Sequence, residues 1–316
     1  MLTPPIFKPF LGYLIAVPVY IWQRKSYSYL IPIIRDRMRD IVRQRGDSNL
    51  AYQAPIDMIT GVVATALDNQ SSSPDFRPEA LAEHLLFMTL ATTHTTIMTI
   101  TNTFLDLLSA NPEAEYCETL REEAEAVFQK DEDWLSSASL SRLVCIDSTI
   151  REALRKHPVL TRTNMREVVR TGGLDLPHGQ NIPQGAWVAA PVVPIHHDER
   201  FYTNPNGYDP FRFVEKPNDD LSGIAKSNLK PSDIHAKSHM PQGVTTTSST
   251  FLAFGHGRHS CPGRWYAAML MKLVVAYIVI NYDIQPLKER PHNWVFGDSM
   301  IPSRTATIKV RRRKGE

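Results

Sequence analysis

One cysteine lies in a sequence context that favours a thiolate. Cys261 follows Gly255 and Gly257 and immediately precedes a predicted helix. Glycines allow sharp turns and close approach to a flat ligand. The N–H groups at the amino end of a helix stabilise a negatively charged sulfur. The pattern therefore predicts a thiolate that binds a metal or acts as a nucleophile, with a buried and inert cysteine as the alternative.

A zinc site is a second chemical interpretation of the same segment. His256, His259 and Cys261 fall close together in the sequence. Structural zinc takes four ligands, however, and no fourth candidate lies nearby. Zinc therefore ranks below any interpretation in which the cysteine alone binds the metal.

The remaining candidate chemistry lies upstream. Glu152 and Arg155 are three residues apart and so share one face of a predicted helix, where they can pair. The simpler alternative is an exposed helical pair, worth only a few tenths of a kcal/mol. Arg212, farther along the chain, is on these grounds alone a surface arginine.

Hydrophobic periodicity and turn residues predict the elements that position these groups. Helices are expected at 26–44, 56–67, about 78–110, through 128, about 140–157 and 264–280, and strands at 161–193, 282–287 and 305–310. Residues 215–250 are polar and without period, which indicates a long insertion. The apolar stretch Pro9–Trp22 is too short to span a membrane and contains Pro18, so it is expected to be interfacial or buried.

Composition indicates an ordinary globular protein. The chain has 316 residues, of which 42% are hydrophobic, and 35 basic side chains nearly balance 33 acidic ones. This balance gives no field that favours nucleic acid. Three scattered cysteines exclude a disulfide framework and favour a reducing compartment, and we interpret Cys117 and Cys145 as buried small side chains.

The cysteine segment resembles the haem-binding signature of the cytochrome P450 monooxygenases, Phe-x-x-Gly-x-(Arg/His)-x-Cys-x-Gly. The matching residues are Phe254, Gly257, His259, Cys261 and Gly263. The resemblance implies haem b with Cys261 as the axial iron ligand. It also implies that Phe254 packs by the sulfur and that His259 reaches a haem propionate.

Two further motifs resemble those of the family and occur in its order. Glu152 and Arg155 match Glu-x-x-Arg, and Arg212 matches the arginine that completes a structural triad, although Phe211 replaces the usual second residue of its motif. Residues 91–96 resemble the stretch over the distal haem face.

That distal stretch departs from the family pattern at Thr92, which replaces glycine, and at His94, which replaces an acid. The resemblance implies that Thr95 hydrogen-bonds dioxygen and passes protons to it, with His94 as a titratable neighbour. Arg166 is expected to contact a haem propionate, with Arg162 as the competitor.

The resemblance implies a mainly α fold with a small β portion, the carboxy-terminal part of the cytochrome P450 fold. Residues 1–316 are expected to form a single partial domain with a distal helix at about 78–110, the Glu-x-x-Arg helix at about 140–157 and the haem-binding loop at 254–263. The resemblance begins after the family's F helix, so the membrane anchor is expected to be missing.

The function implied is oxidation of a lipophilic small molecule, with terpenoid or polyketide-like skeletons of fungal secondary metabolism as the closest analogy. The segments at 159–161 and 295–302 correspond to substrate-contacting regions. The partner implied is an NADPH-dependent cytochrome P450 reductase at the endoplasmic reticulum membrane, with possible membrane-surface contact through Pro9–Trp22. An inactive truncated fragment remains the alternative, and a haem-thiolate isomerase or dehydrase is disfavoured by Thr95.

Overall fold

A computed structural model describes residues 8–46, 54–69, 77–214 and 242–313. The chain is mainly helical with short strand pairs, which confirms the predicted fold class. It divides into two compact units, residues 1–91 and 92–316. The boundary falls inside a continuous helix, and the single-domain assignment stays a prediction.

Eight α-helices are found in the described ranges. They are α1 (Lys8–Gly46), α2 (Met58–Asp68), α3 (Pro78–Leu108), α4 (Tyr116–Val127), α5 (Ser137–Ser141), α6 (Val144–Lys156), α7 (Val192–His196) and α8 (Arg264–Asn281).

The described strands form four antiparallel pairs. These are β1 (Arg162–Glu167) with β4 (Trp187–Pro191), β2 (Leu174–Asp175) with β3 (Asn181–Ile182), β5 (Tyr282–Ile284) with β8 (Val310–Arg312), and β6 (Trp294–Phe296) with β7 (Ser299–Ile301). The register of β1 shifts between Thr163 and Arg166, and Asn164 at this bulge has a φ of +53°. Bulges of this kind occur beside binding sites, where they redirect side chains.

The first unit buries Ile34, Val63 and Leu85 between α1, α2 and the start of α3. The helix predicted at 26–44 is too short, because α1 begins at Lys8 and continues through Pro18. The expectation that Pro9–Trp22 is interfacial or buried is wrong in its second part, because Trp22 is 65% exposed.

The second unit has a continuous apolar core in which α8 packs on α4 and α6. Among the described helices, α8 alone is long and apolar enough to cross a membrane. Its Met271 and Val275 belong to this core. Packing against α4 and α6 thus accounts for the buried side chains of α8, while Trp265 and Tyr266 near its amino end are 63% and 52% exposed.

Two predicted boundaries need correction. The helix expected at about 140–157 is two helices, α5 and α6. The carboxylate of Glu123 accepts hydrogen bonds from the N–H groups of Val144, Cys145 and Ile146 at 2.8, 2.7 and 2.9 Å. These bonds fix the first turn of α6. The last strand is β8, which lies later than 305–310. Of the predicted insertion, 215–241 lies outside the described residues and 242–250 contains no helix or strand.

Candidate active site

The cysteine loop turns at two glycines with left-handed backbone conformation. Gly255 has a φ of +68° and Gly257 a φ of +76°. A side chain at Gly255 would also place its Cβ 3.1 Å from Oδ1 of Asn164. The backbone N–H of Cys261 donates to the carbonyl of Phe254 at 2.8 Å, which closes the loop. Glycine is therefore required at Gly255 by both conformation and space.

The loop leads directly into α8, with Gly263 as its N-cap residue. A Cβ added at Gly263 would lie 4.0 Å from the sulfur of Cys261. The side chain of Arg264 donates to the carbonyl of Cys261 at 2.7 Å. Cys261 is thus held two residues before the N-cap of an 18-residue helix.

A cavity of about 420 Å³ opens beside the loop. This volume lies within the range of small-molecule sites. Six of the residues singled out from the sequence line it, namely His94, Thr95, Arg166, Phe254, His259 and Cys261. The structure therefore brings together the cysteine segment, the first strand and the α3 stretch, all within the second unit.

The α3 side of the cavity is polar. His94 and Thr95 are exposed on it, while the neighbouring Thr96 is 4% exposed and its hydroxyl is buried without a hydrogen-bond partner in the described part of the chain. Thr99 also lines the cavity, and its hydroxyl donates to the carbonyl of Thr95 at 3.1 Å. Hydroxyl groups are therefore concentrated along this wall.

The two arginines considered for the cavity differ in their contacts. Arg166 lines the cavity, whereas Arg162 donates through Nε to the carboxylate of Asp298 at 2.6 Å. Asp298 is in the turn between β6 and β7, and its carbonyl accepts the N–H of Thr161 at 2.7 Å. Arg162 thus links that turn to the start of β1, which leaves Arg166 as the arginine of the cavity wall.

Behind the loop, Glu152, Arg155 and Arg212 form one contact network. Arg155 donates to both carboxylate oxygens of Glu152, at 2.7 and 2.8 Å, and Arg212 donates to the same group at 3.0 Å. The side chains of Glu152 and Arg155 are 0% exposed. The alternative of an exposed helical pair is therefore wrong, since buried charges persist only where they are paired and hydrogen-bonded.

Comparison with known sequences agrees with this geometry. Residues 3–310 match the sequence pattern described as Cytochrome P450. The chain belongs to the cytochrome P450 family.

Similar relatives carry the family name. Cytochrome P450 monooxygenase polB of Polytolypa hystricis is 36% identical over 99% of this chain and 58% of its own length. Cytochrome P450 monooxygenase nodZ of Hypoxylon pulicicidum is 37% identical over 98% of this chain and 55% of its own length. Cytochrome P450 monooxygenase lnaC of Aspergillus flavus is 37% identical, with 98% and 56% covered. The chain thus spans little more than half the length of these relatives.

Membership of the cytochrome P450 family implies a haem, and the donor set of the cavity fits one. A soft cysteine sulfur is on the loop side and threonine hydroxyls are on the α3 side, as an axial ligand and a polar distal wall require. Arg166 and His259 are both exposed and both line the cavity, so an arginine and a histidine border it. Within the described ranges, no three His, Cys, Asp or Glu side chains converge as a metal site, so the zinc alternative gains no support there.

Two charged residues that support the elements around the cavity, Glu123 and Arg290, escaped sequence-based prediction. Glu123 is 0% exposed, and burial raises its pKa to about 7 although backbone N–H donors act in the opposite direction. Glu123 is three residues after Leu120 and four before Val127, so helical spacing puts it on the buried face of α4. Arg290 contacts Asp106 and, at 3.0 Å, Asn102, both in α3, and no local pattern announces these contacts.

Proposed function

We propose that this chain supplies the haem-thiolate site of a monooxygenase that oxidises a lipophilic small molecule. The observation that carries the proposal is that Cys261 and Thr95, which come from distant parts of the sequence, line one cavity. When bound, haem b would supply the iron that activates dioxygen, with electrons from an NADPH-dependent cytochrome P450 reductase.

The loop residues would hold the cofactor. Cys261, which is two residues before the N-cap of α8, would be the sulfur ligand of the iron. Phe254 packs near the sulfur and restricts the access of water to it. His259 and Arg166 bind the propionates, while Gly257 and Gly263 give the loop its turn and its junction with α8.

The α3 wall would move protons. The hydroxyl of Thr95 would donate a hydrogen bond toward the reacting oxygen and relay protons to it, taking up one proton from solvent for each proton that it passes on. His94 is adjacent and exposed, so it can exchange protons with solvent. The hydroxyl groups of Thr96 and Thr99 lie within one further turn of the same helix, which extends the polar path.

The substrate would lie against the segment after α6 and the turn region of β6 and β7. Val159, Leu160 and Ser299 line this part of the cavity, and Met98 adds an apolar side chain from α3. A terpenoid or polyketide-like skeleton of fungal secondary metabolism suits such a wall. Association with the endoplasmic reticulum membrane, with surface contact through Pro9–Trp22, completes the proposal.

Turnover with an isotope tests the proposal. The purified chain would be loaded with haem and mixed with cytochrome P450 reductase, NADPH, farnesol as a lipophilic probe and ¹⁸O-labelled dioxygen. We expect NADPH-dependent oxygen consumption and one labelled oxygen atom in the product, both lost in Cys261→Ser and retained in Cys117→Ser. Haem binding without oxygen consumption would favour the alternative, an inactive haem-binding fragment.

A further inference from the structure

A histidine outside every predicted motif lies between the buried triad and the cysteine loop. His196 is the last residue of α7 and is 0% exposed. Its ring stacks on Phe251, with centroids 5.2 Å apart and planes 13° apart. The side chain is therefore fixed between two packed elements.

The hydrogen bonds of His196 determine its tautomer. The backbone N–H of Leu252 donates to Nε2 at 2.8 Å, and Nδ1 lies 3.0 Å from the carbonyl oxygen of Arg155. A backbone N–H can only donate, so Nε2 accepts and carries no proton. The ring proton is therefore on Nδ1 and is donated to Arg155, and protonation of Nε2 would place two N–H groups against each other.

The contact with Arg155 runs in both directions. The guanidinium of Arg155 donates through Nη1 to the carbonyl of His196 at 2.7 Å. The imidazole of His196 donates in turn to the carbonyl of Arg155. The triad arginine thus fixes the backbone of His196, and the ring of His196 fixes the backbone of the triad arginine.

The other side of the ring leads to the cysteine. The carbonyl of Leu252 accepts the N–H of Gly255 at 2.9 Å, and the carbonyl of Phe254 accepts the N–H of Cys261 at 2.8 Å. Three consecutive hydrogen-bonded links therefore join the imidazole to the backbone of Cys261. All of them use main-chain groups of the loop.

We propose that His196 is a positioning residue that holds the Cys261 loop on α6 through a neutral imidazole protonated at Nδ1. The hydrogen-bonded links from α6 through His196 to the backbone of Cys261 depend only on the fold. Their consequence for iron ligation rests on the proposed function.

The tautomer is tested directly in the full chain by nitrogen NMR of ¹⁵N-histidine-labelled protein at pH 7. We expect the ring of His196 to show a protonated Nδ1 and an unprotonated Nε2, with the assignment made from the signal lost in His196→Gln. A ring protonated at Nε2, or at both nitrogens, would overturn the proposal.

The positioning role is tested by the reactivity of Cys261 toward iodoacetamide in the haem-free chain, followed by mass spectrometry of its peptide. In His196→Leu we expect alkylation to be faster by about tenfold, because the loop opens more often once a buried hydrogen bond is lost. His197→Leu is the matched control, since the ring of His197 bonds to Val193 within its own helix. Equal rates in the two variants would contradict the role.

A conservative variant and a spectrum complete the test. His196→Gln keeps a donor and an acceptor, so we expect its alkylation rate to lie near that of wild type, even where His196→Leu fails to fold. With haem bound, His196→Leu should lose part of the thiolate-type spectrum that wild type shows. A wild type without that spectrum would refute the proposed function, while the tautomer and alkylation results would still decide the role of His196.

Discussion

The two sides of the cavity are built in opposite ways. Behind the cysteine loop, Glu152, Arg155 and His196 are fully buried, and each has several hydrogen-bond partners. On the α3 side, His94 and Thr95 are exposed. The paired charges behind the loop stabilise the fold and cannot be removed one at a time. The exposed side chains of His94 and Thr95 can be replaced at little cost in stability. Stability and reactivity are thus assigned to different walls of one site.

The largest loss of stability is expected for Glu152→Ala. The change leaves Arg155 buried without its carboxylate, and breaking a buried ion pair costs about 4 kcal/mol. Urea unfolding measures the loss, and Glu122→Ala on the exposed face of α4 is the control. A loss below about 1 kcal/mol would show that the triad does not carry the stability of this side.

A somewhat smaller loss is expected for Glu123→Ala. Three N–H groups in the first turn of α6 would lose their acceptor, which we expect to cost about 3 kcal/mol in the free energy of unfolding. The same control, Glu122→Ala, should stay within about 0.5 kcal/mol of wild type. Similar losses in the two variants would mean that Glu123 does not hold the start of α6.

The buried groups also predict opposite pH effects. Burial raises the pKa of Glu123 to about 7, above its value of 4.5 in the unfolded chain. Its contribution to the free energy of unfolding is therefore present below pH 4.5 and is lost as the pH rises through 7. Burial lowers the pKa of His196 from 6.5 to about 3. Its contribution to the free energy of unfolding is therefore present above pH 6.5 and is lost as the pH falls toward 3.

The free energy of unfolding, measured from pH 3.5 to pH 8, tests the direction of these two pH effects. The stability of wild type relative to Glu123→Gln should grow as the pH falls from 7 to 4.5. Relative to His196→Leu it should shrink below pH 6.5, by about 1 kcal/mol per pH unit. Differences that stay constant across the pH range would contradict both assignments.

The smallest effect on stability is expected on the α3 side. Thr95→Ala should change the free energy of unfolding by less than about 1 kcal/mol, because the residue is exposed. In the haem-loaded chain it should still lower product formed per NADPH by about tenfold or more, since a positioned proton donor is lost. Thr95→Ser should retain most of the product. A large stability loss in Thr95→Ala would remove the contrast between the two walls.

Sequence reasoning reached what short motifs encode. The cysteine loop, Glu152 with Arg155, and Thr95 are recognisable because each motif is defined by its spacing within a few residues. Glu123 has the spacing of a buried residue on α4, but its partners and those of Arg290 lie far along the chain, so no local pattern announces these contacts. The start of α6 was misplaced for the same reason, because its cap comes from α4.

The length of α1 was missed because its helix was predicted only from the amphipathic part, 26–44, and the apolar stretch that contains Pro18 was treated separately. Proline removes a hydrogen bond and usually ends or kinks a helix. Here Pro18 and Pro32 are both inside α1. The prediction at 26–44 therefore captured the amphipathic part of α1 and missed the exposed apolar turns before it.

The central claim is that the sulfur of Cys261 is the ligand which the buried side of the cavity holds in place. The most direct measurement is the Soret band of the haem-loaded chain after reduction and addition of carbon monoxide. We predict a thiolate-type red shift in wild type and in Cys117→Ser, and its loss in Cys261→Ser. The same red-shifted band in Cys261→Ser would contradict the account.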